Sequence, residues 1–514
     1  MDTSGHHHTH GHVKELAMMD FHGTSLIGGA FVPNGAGRAY HAISPVTGEP
    51  LPGTFVDATS EDIDAAMQAA HQAAGELRRF SGARIGDLLD AIAEELDAHA
   101  EALVTRANEE SHLGAARLEG ELARTTGQLR LLADAARNDT ERLRRTDHVG
   151  GSTLRLLDVP IGPVAVFGSS NFPLAFSVPG GDTASALAAG CPVIVKAHPA
   201  HPGTSELAAR AIHRACERLA FPAGTFQMIH GVDHATGAAL VRHPHLRAVA
   251  FTGSHRGGTA VARLANERPH PIPVYAELGA ANPVVLLSHA LASRSEAMAD
   301  ALAESLTLGV GQFCTNPGLM LMRRGPHAEA FERALVQRLA AAPEAVMLTE
   351  GIRTAYLAGI ERLTQTAGVV SCHQADALDA LVGPSLMKIR AADALDEPSV
   401  FTEVFGPAGV LVLADDEVEL VEVIQSLPGA LVGSLFADEA DSREAVEVIQ
   451  VLSDRVGRIV VNHVPTGVLV SAAQHHGGPY PATLHDRETS VGTRAITRFL
   501  RPLALQDVPE AWFT

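Results

Sequence analysis

No uninterrupted apolar run in the 514 residues approaches the roughly eighteen needed to cross a bilayer, so no membrane span is expected. Lys and Arg gather into no stripe. Thirty-nine basic residues stand against 59 acidic ones, a net charge of −20, and such a surface repels phosphate backbones, which argues against nucleic acid as a partner. The opening MDTSGHHHTHGHVKELAMMD lacks the basic and apolar regions of a signal peptide, so export is not expected and a cytoplasmic location is. Only four cysteines occur, Cys191, Cys216, Cys314 and Cys372, with no CxxC and no paired His spacing. That speaks against a disulfide framework or a zinc site and fits a reducing compartment. Counted alone, each thiol is more often a small buried hydrophobe than a catalyst. No internal repeat interrupts the chain, and its only biased segment is the tail at 1–20. The five histidines there within residues 6–12 read as a flexible extension or an expression remnant, with transition-metal binding as the lesser reading.

What the sequence does have is a globular composition, 46% hydrophobic and 19% charged, over a length too great for one core, so two or three domains are expected. Residues 59–77 open on Thr-Ser and two acids, then set Ile63, Met67, Ala70, Ala74 and Leu77 at helical spacing. Ile85, Leu88, Leu89, Ile92, Leu96 and Leu103 carry that period onward and 114–136 repeats it, so the first third reads as mainly helical. From residue 164 short apolar runs, VAVFG, VIVKA, FQMIHG, AVAFTG and PVYAEL, alternate with Ala-rich helical stretches. This rhythm implies a parallel sheet covered on both faces, with ligands at the carboxyl ends of its strands. A second series, from NPVVLLS at 282 to AGVLVLA at 408, places a domain boundary near residue 277. Residues 150–160 and 493–505 alternate like strands outside both series, and they read equally as intersubunit pairing elements or an edge hairpin.

The chemistry concentrates in polar residues at strand ends beside glycine or proline. Asn171 in FGSSNFPLAF offers an amide to the crevice, or merely an Asx turn before Pro173. Lys196 in VKAHPAHPG is either a ligand for ribose or phosphate oxygens or a solvated lysine. Gly253 and Ser254 in FTGSHRGG suit a phosphate at a helix N-terminus and equally a plain cap. Glu277 in AELGAANP sits at an apolar strand end, where a carboxylate is costly unless it has a role or a partner, as a general base would. Glu403 in TEVFGP, two residues before Phe405, suits ribose hydroxyls.

Together Asn171, Lys196, FTGS, ELGAANP, GQFCTNPG and EVFGP resemble the aldehyde dehydrogenase superfamily, in its order and over about residues 25–505. The stretch from VFGSSNFPLAF to HPGTSE is similar to the branch holding 2,5-dioxovalerate (alpha-ketoglutarate semialdehyde) dehydrogenases and a bacterial NADP-dependent fatty aldehyde dehydrogenase. The implied fold is α/β: two Rossmann-like parallel-sheet domains and a small β oligomerisation arm. The domains would be 21–276 for the dinucleotide, interrupted by 148–160, and 277–490 for the catalytic thiol, with 148–160 and 491–507 as the arm. The resemblance makes Cys314 the nucleophile, Asn171 an oxyanion donor and Glu277 the base that activates water. Lys196, Gly253, Ser254, Glu403 and Phe405 would hold the dinucleotide, and no metal is required. Pro199 stands where many NAD-using members carry an acid, so NADP is favoured and NAD remains admissible. A homodimer or homotetramer is implied, as is a small-molecule aldehyde: alpha-ketoglutarate semialdehyde first, a medium- or long-chain aliphatic aldehyde second. CoA-acylating dehydrogenase and thiol hydrolase are remote readings, and no residue for the distal end of a dicarboxylate is legible.

Overall fold

The computed structural model describes residues 23–33, 35–375 and 380–512; the His-rich tail lies outside them. The helix Ser60–Leu77 starts where its sequence says it should. Thr59 and Asp62 form a reciprocal capping box, and the apolar stripe from Ile63 to Leu77 is buried. The periodic run expected to continue through residue 103 is instead two helices, Gly82–Ala98 and Ala100–Ser111, broken at His99. The His99 ring bonds the Glu95 carbonyl at 2.7 Å, while the apolar spacing runs on across the break and conceals it. Helix Ala115–Asn138 packs along Gly82–Ala98 and reaches the site described below.

The first sheet runs in the order Val274–Glu277, Ala248–Thr252, Val164–Phe167, Val193–Lys196, Phe226–Ile229, then the hairpin Thr24–Ile27 and Ala30–Pro33. Its first five strands are parallel and the hairpin is antiparallel. Register sets Phe251 beside Phe167, Phe167 beside Lys196, and Thr252 beside Glu277, so the carboxyl ends form one rim. Residues 278–281 carry the chain to a second sheet, ordered Val370–Gln374, Ser385–Arg390, Ala408–Ala414, Pro317–Arg323, Asn282–Leu286, Ala430–Phe436 and Val456–Val461. All but the first of these are parallel. The chain later returns to the first sheet: Thr483 bridges Glu277, and Leu278 N–H donates to the Ala482 carbonyl.

The two extended segments are not without a sheet of their own. Ser152–Pro160 pairs antiparallel with Arg144–Val149 on one side and Leu500–Gln506 on the other. Within the second segment Thr493–Phe499 is a 3-10 helix rather than a strand, because Thr493, Ala495, Ile496 and Phe499 are all buried and strand geometry would turn alternate residues outward.

Candidate active site

Cys314 lies on a loop that leaves the helix Ser288–Thr307 through three consecutive left-handed residues, Gly309, Val310 and Gly311, with φ of 55°, 59° and 65°. A β-branched valine rarely adopts that conformation, so the surroundings must hold it. At Gly311 a Cβ would run into the backbone of Gly406 and Pro407, which fixes glycine there. The Asn282 amide donates to the carbonyls of Cys314 (2.8 Å) and Asn316 (3.0 Å), and the Asn316 amide to that of Gly406 (3.0 Å). The thiol therefore sits on a fastened loop and is partly buried.

Around it the two sheets meet. Glu277, at the end of the first sheet, accepts from the His476 ring at 2.8 Å and from the Ser490 hydroxyl at 2.8 Å. His476 Nε2 also lies 3.7 Å from Cys314 Sγ. Burial pushes the Glu277 carboxyl up, but His476, Ser490 and Cys314 together outweigh it and hold the group below its ordinary value. The thiol goes the other way: burial, then the Glu277 charge beside it, push it well above 9.0. The resting state is a thiol next to a carboxylate, so attack requires the proton to leave toward Glu277. The three donor atoms lie within 4.8 Å of one another, close enough for a soft divalent cation to engage all three and block the thiol.

Asn171 comes to the same loop. Its amide donates to the Gln312 carbonyl at 2.9 Å, two residues before the nucleophile, so one of its two hydrogens is engaged rather than facing open crevice. Lys196 ends its strand on the rim, where burial, opposed by Asp57, lowers its ammonium to about 8. Ser254 caps the helix His255–Asn266, accepting from Gly257 N–H at 3.2 Å, and Gly253 N–H donates to the Glu277 carbonyl at 3.1 Å. Glu403 and Phe405 line a cavity with Asn316 and Phe313. Burial raises the Glu403 carboxyl to about 8, against one opposing hydrogen bond from Ala280. A Cβ at Gly279 would overlap Glu403 Oε2, so glycine leaves that carboxyl its place. The Ser169 hydroxyl, just past the strand Val164–Phe167, is buried with no partner. An unpartnered hydroxyl and an ammonium at the ends of first-sheet strands, with a neutral carboxyl against Gly279, fit the hydroxyls and phosphates of a dinucleotide.

Four site residues escaped sequence reasoning. His476 and Ser490 are some two hundred residues from Glu277 in the chain; the run QHHGGP, with paired histidines before glycines, was the signal for the first, and Ser490 had none. Arg124 and Arg458 read as ordinary helix and strand charges, yet a thiolate at Cys314 would favour both cations.

A model of the aldehyde dehydrogenase family matches residues 31–500. The chain is 47% identical over 503 residues to alpha-ketoglutaric semialdehyde dehydrogenase 2 of Azospirillum brasilense, covering 96% of this chain and 95% of that protein. It is 40% identical over 510 residues to the alpha-ketoglutaric semialdehyde dehydrogenase of Acinetobacter baylyi, covering 96% and 95%. A betaine aldehyde dehydrogenase from Staphylococcus aureus, solved with NAD+, shares the fold at TM-score 0.83 and 20% identity over 96% of this chain and 98% of that one. The chain belongs to the aldehyde dehydrogenase family.

Proposed function

We propose that the protein oxidises alpha-ketoglutarate semialdehyde to 2-oxoglutarate with NADP in preference to NAD. The observation that carries the reading is the contact of Cys314 with the His476–Glu277 pair, 3.7 Å from sulfur to ring and 2.8 Å from ring to carboxylate, at the rim where the parallel strands end. The names of the two relatives supply the substrate. Cys314 loses its proton to Glu277, which passes it on to solvent, and the sulfur attacks the aldehyde carbon, giving a thiohemiacetal oxyanion. The free hydrogen of the Asn171 amide and the Cys314 backbone N–H hold the oxyanion, a donor of this kind contributing about a hundred- to a thousandfold in rate. A nicotinamide, when bound, supplies the two-electron oxidant that turns this adduct into a thioester. Glu277 then takes a proton from the water that releases the acid. Lys196, Gly253, Ser254, Glu403 and Phe405 would hold the dinucleotide, and Pro199, in place of a carboxylate, leaves room for a 2′-phosphate. The antiparallel sheet of residues 144–160 and 500–506 would join copies into a homodimer or homotetramer, its outer strand Arg144–Val149 being exposed at every position.

The test is steady-state turnover of alpha-ketoglutarate semialdehyde and of aliphatic aldehydes with NAD and NADP, on the parent and on Cys314→Ala. The expected result is a higher kcat/KM on the keto acid with NADP, and a variant that binds dinucleotide with no turnover. A hundredfold preference for an aliphatic aldehyde overturns the substrate.

A further inference from the structure

We infer that Cys314, Glu277 and His476 form a binding site for one divalent cation of the zinc and cadmium kind, and that the bound cation switches the enzyme off by occupying its nucleophile. One sulfur, one nitrogen and one oxygen converge within 4.8 Å from three separate parts of the chain. Glu277 ends the first sheet, Cys314 sits on the fastened loop, and His476 lies where the chain returns toward that sheet. A tetrahedral cation bonds nitrogen and oxygen at about 2.1 Å and sulfur at about 2.3 Å, which sets N and O about 3.4 Å apart and S and N about 3.6 Å apart. The site already has 2.8 and 3.7 Å. Admitting the cation therefore takes a retreat of about 0.6 Å between ring and carboxylate and almost none from the sulfur.

The ligands are held from behind, as metal ligands usually are. The Ser490 hydroxyl donates to Glu277 Oε2 at 2.8 Å and leaves Oε1 for the cation, and the His476 backbone N–H donates to the Thr489 hydroxyl at 2.8 Å. A thiolate with an imidazole and one carboxylate suits zinc or cadmium, whereas calcium and magnesium ask for oxygen throughout. Three protein ligands leave a fourth position for water. Glu277 and His476 are buried and Cys314 only partly so, which makes the sulfur side the way in for a cation as it is for an aldehyde. On binding, the S–H bond breaks as the S–metal bond forms, and the thiol proton goes to the buffer. The Nε2 proton that Glu277 accepts moves to Nδ1, which frees the Nε2 lone pair for the metal. A dication with one thiolate and one carboxylate is neutral overall, so Arg124 and Arg458, which a thiolate would favour, do not oppose the complex.

The experiment titrates the full chain with Cd2+ and reads the sulfur-to-cadmium charge-transfer absorption, with Cys314→Ala as the blank. Zn2+ inhibition is measured separately at free concentrations fixed by a chelator buffer, so that the histidines within residues 6–12 do not deplete the metal. We expect one cadmium per chain in the parent, a band lost after iodoacetamide treatment, and zinc inhibition that competes with aldehyde and reverses on chelation. His476→Asn should weaken cadmium binding by more than about a hundredfold, and Ser490→Ala, which removes only an outer partner, by about ten- to a hundredfold. No band above the blank overturns the site, and so does equal cadmium affinity in the parent and both variants, which would mean a thiol binding metal alone. Should the Tm show that His476→Asn does not fold, Ser490→Ala decides: weakened binding supports the site and unchanged binding overturns it. The cadmium readout is indifferent to which aldehyde is oxidised, so this site and the substrate reading fail separately.

Discussion

Glu277 and Glu403 both act on Cys314 from carboxyls that burial disfavours as anions, and they respond in opposite directions. The difference is in the donors. Glu277 has the His476 ring, the Ser490 hydroxyl and the Cys314 thiol, which together more than repay its desolvation. Glu403 has one opposing hydrogen bond and otherwise faces a cavity, so it stays neutral up to about pH 8. One site thus keeps a ready anion for proton transfer next to a neutral acid that can both donate and accept toward a ligand.

The sharpest way to break the contrast is to remove the anion. Glu277→Gln should lower steady-state turnover by about two to four powers of ten, because a base is lost from the hydrolytic step. The same change should speed alkylation of Cys314. The Glu277 charge is the second cause raising that thiol, so its loss lets the thiolate form at lower pH, although burial still holds it above an exposed cysteine. Iodoacetamide trapping at pH 8 reads this directly, and slower trapping together with slower turnover would mean that taking the thiol proton outweighs the effect of the Glu277 charge on the thiol.

His476→Asn tests the donors rather than the acceptor. With less to offset burial, the Glu277 carboxyl should move up, so the acid limb of the kcat profile should shift toward neutral pH. The loss should then be larger at pH 6 than at pH 8. A uniform loss across pH would assign His476 to packing alone.

Much of this was legible in the chain because it is local. The capping box at Thr59, the five parallel runs and the polar residues at their ends each follow from neighbours in sequence, and register then brings Glu277 and Lys196 to one rim without further information. What was not legible is what distance in the chain hides. The helix break at His99 leaves the apolar period intact, and the 3-10 turn at 493–499 looks like alternation until its burial is known. Glu277 could be read as a costly carboxylate, but the partners that hold it ionised come from residues 476 and 490 as the chain returns to the first sheet. A sequence states that a buried charge needs partners. Only the fold supplies them.

The smallest expected effect lies with Glu403. Its folded-state value of about 8 stands above its ordinary 4.5, so between those limits the folded protein holds a proton that the unfolded chain releases. Stability therefore falls as pH rises through the window, the opposite of the usual salt-bridged carboxylate. Glu403→Gln removes the titration and keeps the size, so the Tm of the variant relative to the parent should climb from pH 5 to pH 8 and level off above. Glu277→Gln should instead show a constant Tm deficit against the parent across that range, since a carboxyl held below its ordinary 4.5 is ionised in both states there, and the deficit should shrink only as pH falls below that value. A rising difference for Glu403→Gln beside a flat one for Glu277→Gln follows directly from the unequal supply of donors, and two rising lines would show that burial alone, acting on both, sets their charge.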